Sequence, residues 1–104
     1  MRRIGSFSAM YPESSRREYG ADGDALIITT HKDGALFRYS FRLRLGKYFR
    51  SEYQTDTPPF RTESQAIRTA EERVLKCARS HAQLLARLTS LGFSEEGSGQ
   101  PTLF

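Results

Sequence analysis

Cysteine occurs once in this 104-residue sequence, at Cys77, and histidine only twice, at His31 and His81. A single cysteine excludes an internal disulfide and fits a reducing compartment. No stretch approaches the ~20 apolar residues of a membrane span. The opening residues MRRIGSFSAM are basic at the start but carry no apolar run of signal-peptide length. The expectation is a cytoplasmic protein with no membrane association. Glycine-rich phosphate loops are also missing, since Gly20, Gly23 and Gly34 match neither the Walker nor the dinucleotide spacing. The hydrophobic fraction, 38%, is low beside the roughly 45–50% usual for globular chains, an average that counts glycine as apolar. Part of the chain is therefore expected outside the core, and residues 94–104 are the natural candidate. The length suits one domain that buries roughly 65% of its unfolded surface.

Catalytic constellations are equally scarce. Cys77 and His81 lie four apart, so one helix face would bring them together as a nucleophile–base pair. Both fall inside an apolar stripe with no acid nearby to orient the imidazole. A buried thiol beside a partly buried histidine is the simpler reading, and two ligands do not make a zinc site. Glu71-Glu72 and Glu95-Glu96 are sequence neighbours rather than facing carboxylates. The chain is expected to be no enzyme and to need no cofactor or metal.

What is present is a localised charge. The formal net charge is +4, and residues 25–55 carry all of that excess: Lys32, Arg38, Arg42, Arg44, Lys47 and Arg50 against Asp33 and Glu52. Such a concentration is the usual footprint of a polyanion partner. The alternative is a solvated sheet face.

The same region reads as antiparallel strands. Residues 25–32, ALIITTHK, are β-branched and apolar, and Asp33-Gly34 follows as a hairpin signal. In ALFRYSFRLRL, Phe37, Tyr39, Phe41, Leu43 and Leu45 fall on one face and Arg38, Ser40, Arg42 and Arg44 on the other. Gly46 permits a second tight turn, and residues 47–55 return as a strand with Phe49 and Tyr53 expected inward. Residues 11–24 are polar and rich in Gly, Pro and Ser, and read as a loop. Residues 2–10 would supply a fourth strand.

A helix follows Pro58-Pro59. Thr62 and Gln65 form a T-x-x-Q capping box, and Gly92 sits where a terminating glycine belongs. Between them Ile67, Ala70, Val74, Cys77, His81, Leu84, Leu88 and Leu91 repeat at spacings of three and four. A single helix over residues 63–91 would run about 43 Å, beyond the ~30 Å of a nine-residue strand. Its second half, with Leu84, Leu88 and Leu91, would overhang the sheet and need cover from the N-terminal segment or from a second copy in a homodimer. The expected fold is α+β: a small antiparallel meander of three strands, or four with residues 2–10, packed by one long C-terminal helix. One β-β-β-α domain would span residues 1–93, with a flexible tail over 94–104.

Three strands and a helix opening Phe60-Arg61-Thr62-Glu63-Ser64-Gln65-Ala66 resemble the small DNA-binding module of tyrosine-recombinase arms and AP2-type proteins. The resemblance covers about residues 25–80. It implies a sheet in the DNA major groove, contacting it through Arg38, Arg42, Arg44 and Arg50; the charge reading adds Lys32 and Lys47 at the two turns. Two departures stand out: a longer helix than that family needs, and no recombinase catalytic domain after it.

The closing residues QPTLF resemble the Gln-x-x-Leu-Phe peptides by which many bacterial proteins ride on the DNA polymerase sliding clamp. Gln100, Leu103 and Phe104 match that pattern. The resemblance implies that Leu103 and Phe104 enter an apolar clamp pocket while Gln100 is hydrogen-bonded at its rim. Pro101 stands where the family often has Leu, which weakens the motif, although proline stiffens an extended peptide. The alternative is that Leu103 and Phe104 fold back over the overhanging leucines. Together these features lead to the expectation of a non-catalytic phage, plasmid or bacterial accessory or inhibitor that docks on the sliding clamp and touches DNA. The runners-up are a mobile-element inhibitor of a nucleoprotein or host defence complex, of anti-CRISPR or anti-restriction type, and a dimeric module without nucleic acid.

Overall fold

A computed structural model describes residues 11–21 and 23–93. They form four antiparallel strands in sequence order, β1 (Glu13–Ala21), β2 (Asp24–Asp33), β3 (Leu36–Leu45) and β4 (Tyr48–Tyr53), followed by α1 (Glu63–Ala78) and α2 (Ala82–Ser90). The architecture is α+β, with both helices on one face of the sheet. The expected strand over residues 2–10 and the tail over 94–104 lie outside the described residues.

The expected loop over residues 11–24 is instead mostly strand. Pairing runs from Glu13 opposite His31 to Ala21 opposite Asp24, with one bulge between Glu13 and Ser15. The sequence hides this strand because it is a polar edge, held by side-chain bonds more than by apolar burial. Ser15 bonds Thr30 at 2.8 Å, Ser14 donates to the Glu63 carboxylate at 2.8 Å, and Arg17 lies 3.7 Å from Glu71. Tyr19 meets the Phe93 ring edge-on at 5.5 Å.

The β2–β3 hairpin forms where Asp33-Gly34 stands, with Asp33 as the last paired residue and Gly34 and Ala35 as the turn; Gly34 takes φ +66°. The β3 alternation holds, and Tyr39, Phe41, Leu43 and Leu45 join Leu26 and Ile28 in the core. Ala66, Ala70, Val74 and Ala78 of α1 pack on them, their small side chains allowing close approach. The capping box at Thr62 and Gln65 is present as expected.

The single long helix is not formed. Helix α1 stops at Arg79, the Ser80 hydroxyl donates to the Cys77 carbonyl at 2.8 Å, and His81 turns extended at φ −145° before α2 begins. Ser80 suits such a break because its hydroxyl competes for backbone carbonyls. The break removes the overhang: Leu88 is fully buried, Leu84, Leu85 and Leu91 pack half-buried against the core, and Gly92 ends α2 at φ +95°. The leucine stripe expected to need cover from the N-terminal segment or from a second copy meets the core instead, fully at Leu88 and in part at Leu84 and Leu91. Arg87 secures α2 to the start of β2 by a bidentate bridge to Asp24, at 2.9 and 3.0 Å. No helix among the described residues is long and apolar enough to cross a membrane.

Candidate nucleic-acid interface

Among the described residues the helices cover only one sheet face, and strand register dictates the contents of the other. Four cross-sheet rows follow from the pairing: His31 and Arg38; Arg16, Thr29, Ser40 and Tyr53; Glu18, Ile27, Arg42 and Ser51; then Gly20, Ala25, Arg44 and Phe49. The first two rows and the last two behave differently.

At the β2–β3 turn the face is sealed. Arg38, expected in an exposed arginine row, is buried. Its Nε donates to Asp33 at 2.8 Å, one terminal nitrogen donates to the Thr57 carbonyl at 2.8 Å, and its guanidinium lies 5.0 Å from the Tyr11 ring centroid. His31 is buried beside it. Its Nδ1–H donates to the Tyr11 carbonyl at 3.1 Å, which leaves Nε2 to accept from the Ser40 hydroxyl at 2.8 Å. Burial pulls the His31 pKa below its ordinary value, so the neutral ring is the native form. Tyr53 covers the imidazole with ring centroids 4.7 Å apart.

At the far end the face is open. Arg42 and Arg44 are exposed and face no carboxylate partner among the described residues, whereas Arg16 is held by Glu13 at 2.9 Å and Glu18 at 3.5 Å. Phe49, expected inward, is 56% exposed. The cause is the length of the second turn. Gly46 and Lys47 alone connect the strands, pairing Leu45 with Tyr48 and Arg44 with Phe49, so Tyr48 takes the inner face and Phe49 the outer. A one-residue slip reverses every side chain of a strand. Counting a two-residue turn from Gly46 would have revealed this from the sequence. The Arg44 guanidinium lies 5.9 Å from the Phe49 centroid.

The remaining expected cations do not join one plane. Lys47 is in the turn, and Arg50, opposite Leu43, stands on the helix side of edge strand β4. Lys32, at the other end of the sheet, lies 5.2 Å from the Phe37 ring. Arg42, Arg44, Lys47 and Arg50 therefore surround the β3–β4 hairpin rather than lining one face, while Arg38 and Lys32 belong elsewhere.

Other candidate chemistry does not assemble at this end. Cys77 packs half-buried against the core, while His81 is exposed at the helix break with Nδ1 3.2 Å from the Ser80 hydroxyl. Among the described residues no group of three or more His, Cys, Asp or Glu is placed to hold a metal ion. An open groove of about 630 Å³ lies between the second turn and α2, lined by Tyr48, Gln83, Leu84 and Arg87 among others. No protein-family model, curated protein or solved structure matches this chain at a significant level.

Proposed function

We propose that this chain is a non-catalytic, DNA-associated accessory or inhibitor protein, which docks on the DNA polymerase sliding clamp and contacts DNA through the basic β3–β4 hairpin. The observation that carries the DNA contact is the gathering of Arg42, Arg44, Lys47 and Arg50 around one hairpin without carboxylate partners among the described residues. Arginine forks suit phosphate oxygens and guanine edges. Neighbouring cations elsewhere in the fold are already spent on carboxylates: Arg73 on Glu52 at 2.9 Å and Arg87 on Asp24. The clamp contact rests on Gln100, Leu103 and Phe104, which lie outside the described residues.

One experiment with two arms tests both. Purified sliding clamp should retain the full chain and lose a form truncated after Gly99. Equal retention of both removes the clamp contact. DNA should retain the full chain in a salt-sensitive manner, with a logarithmic slope of about −3 if three or four phosphates are neutralised. Replacing Arg42 and Arg44 with Glu should abolish that retention, and an unchanged elution salt would remove the DNA contact.

A further inference from the structure

Phe49 is unexplained by the fold. The ring sits on the outer face of an edge strand, more than half exposed, while its neighbours at the open end, half-buried Ile27 apart, are polar or small. The core needs no ring there, and the adjoining groups are cations. We infer that the open end of the sheet binds single-stranded nucleic acid, with one unpaired base stacked on Phe49 and the adjoining phosphates held by Arg42 and Arg44. This deepens the proposed DNA contact and rests on it.

Four features of the open end point to a planar anionic ligand. Phe49 and Arg44 face each other across the pairing at 5.9 Å. A base in contact with both, at about 3.5 Å from each plane, needs about 7 Å, so an opening of roughly 1 Å admits it. Beyond Arg44 the floor is low, because Ala25 and Gly20 complete the row and project almost nothing. Two strand spacings separate Arg44 from Gly20, so that trough is about 10 Å across, wide enough for a nucleotide backbone. Arg42 stands two residues along β3 from Arg44, about 7 Å away on the same face, where a backbone crossing the trough would meet it. Half-buried Ile27 lies in the Arg42 row and offers a second apolar contact.

The ring also selects between nucleic-acid forms. In a duplex the flat faces of the bases are covered by their neighbours, so a single Phe on a sheet would meet only backbone and water. An unpaired base has a free π-face, and aromatic stacking with flanking cations is how sequence-tolerant single-strand binders work. An acidic protein surface would satisfy the arginines but leave the ring without a planar counterpart.

The test exploits the absence of tryptophan from the sequence. Phe49→Trp installs a unique fluorophore at the stacking position. Titration with an oligothymidine of about ten nucleotides should quench it to saturation, and the same strand annealed to its complement should not. In fluorescence anisotropy with the labelled single strand, Phe49→Ala should weaken binding about tenfold or more, with an unchanged thermal melt because the ring is exposed. Single-strand affinity unaltered by Phe49→Ala, or no quenching of the Phe49→Trp protein, overturns the inference. If duplex is bound in an Arg42- and Arg44-dependent manner without a single-strand preference, the stacking site fails and the DNA contact stands. If neither form is bound, both fail.

Discussion

Arg38 and Arg42 are four residues apart on one strand and point to the same side of the same sheet, yet they have opposite fates. Arg38 is buried among Asp33, the Thr57 carbonyl and the Tyr11 ring, with His31, Ser40 and Tyr53 closing the cluster. Arg42 lies open beside Arg44 and Phe49. Alternation placed both side chains on the outer face. What separates them is the chain that crosses over one end: Tyr11 on one side and the Gln54–Thr57 segment on the other supply carbonyls and rings at the Arg38 end. An arginine row in a sequence therefore does not equal a binding surface. Only the part left without partners is available to a ligand.

Deleting each guanidinium in turn separates the two ends most sharply. Arg38→Ala strands the partly exposed Asp33 carboxylate and takes the donor from the buried Gln54 carbonyl and the partly buried Thr57 carbonyl. It should cost about 2–4 kcal/mol, lowering the melting temperature by 10 °C or more. Arg42→Ala should stay within about 0.5 kcal/mol. Equal costs in a denaturant titration would mean that the two ends are not distinct.

The open end owes its composition to the second turn. Gly46 has φ +63°, and an added Cβ would come within 3.3 Å of the Arg87 guanidinium. Gly46→Ala should therefore destabilise by about 1–2 kcal/mol, while the analogous change at exposed Gly20, where the nearest atom is 3.8 Å away, should be milder. A hydrogen–deuterium exchange map should show the loss concentrated in β4 and α2. Uniform loss across the sheet would contradict the role given to the turn.

Between pH 7 and 5 the sealed end should respond to pH through His31. His31 is held neutral by burial, its pKa below the ordinary 6.5. Its stabilising contribution is complete above about pH 6.5. It falls as pH drops from there towards the lowered native value, because the unfolded chain takes up the proton first. Glu71 acts in the opposite sense: burial raises its carboxyl above the ordinary 4.5, so lowering the pH through that raised value relieves a destabilising charge. In a Glu71→Gln background, stability should decline between pH 7 and 5, and His31→Gln should flatten the decline. A slope that survives His31→Gln would assign the titration to another group.

Much of the fold was legible. The alternation of β3, the two glycine turns, the Thr62 capping box and the Gly92 stop all rest on local rules of period and backbone conformation, which a short window contains. The polar strand β1 was not legible. Its side chains pair with Thr30, Glu63 and Glu71, residues distant in sequence, so nothing local marks Ser14, Ser15 or Arg17 as structural. The helix break was half visible in Ser80-His81, but the unbroken three-four spacing from Ile67 to Leu91 masked it. Two helices meeting one core can share a stripe that looks like one.

Local sequence sets the two glycine turns that flank β3, which β3 residues enter the core, and the gathering of positive charge between residues 25 and 55. Those follow from side-chain period, from glycine's access to positive φ, and from composition, none of which needs a distant partner. Only the assembled sheet leaves particular cations without carboxylate partners among the described residues and turns Phe49 outward at an open end. Both depend on contacts between segments far apart in the chain. Burial and pairing of a charge are properties of the assembled sheet, and no local pattern encodes them.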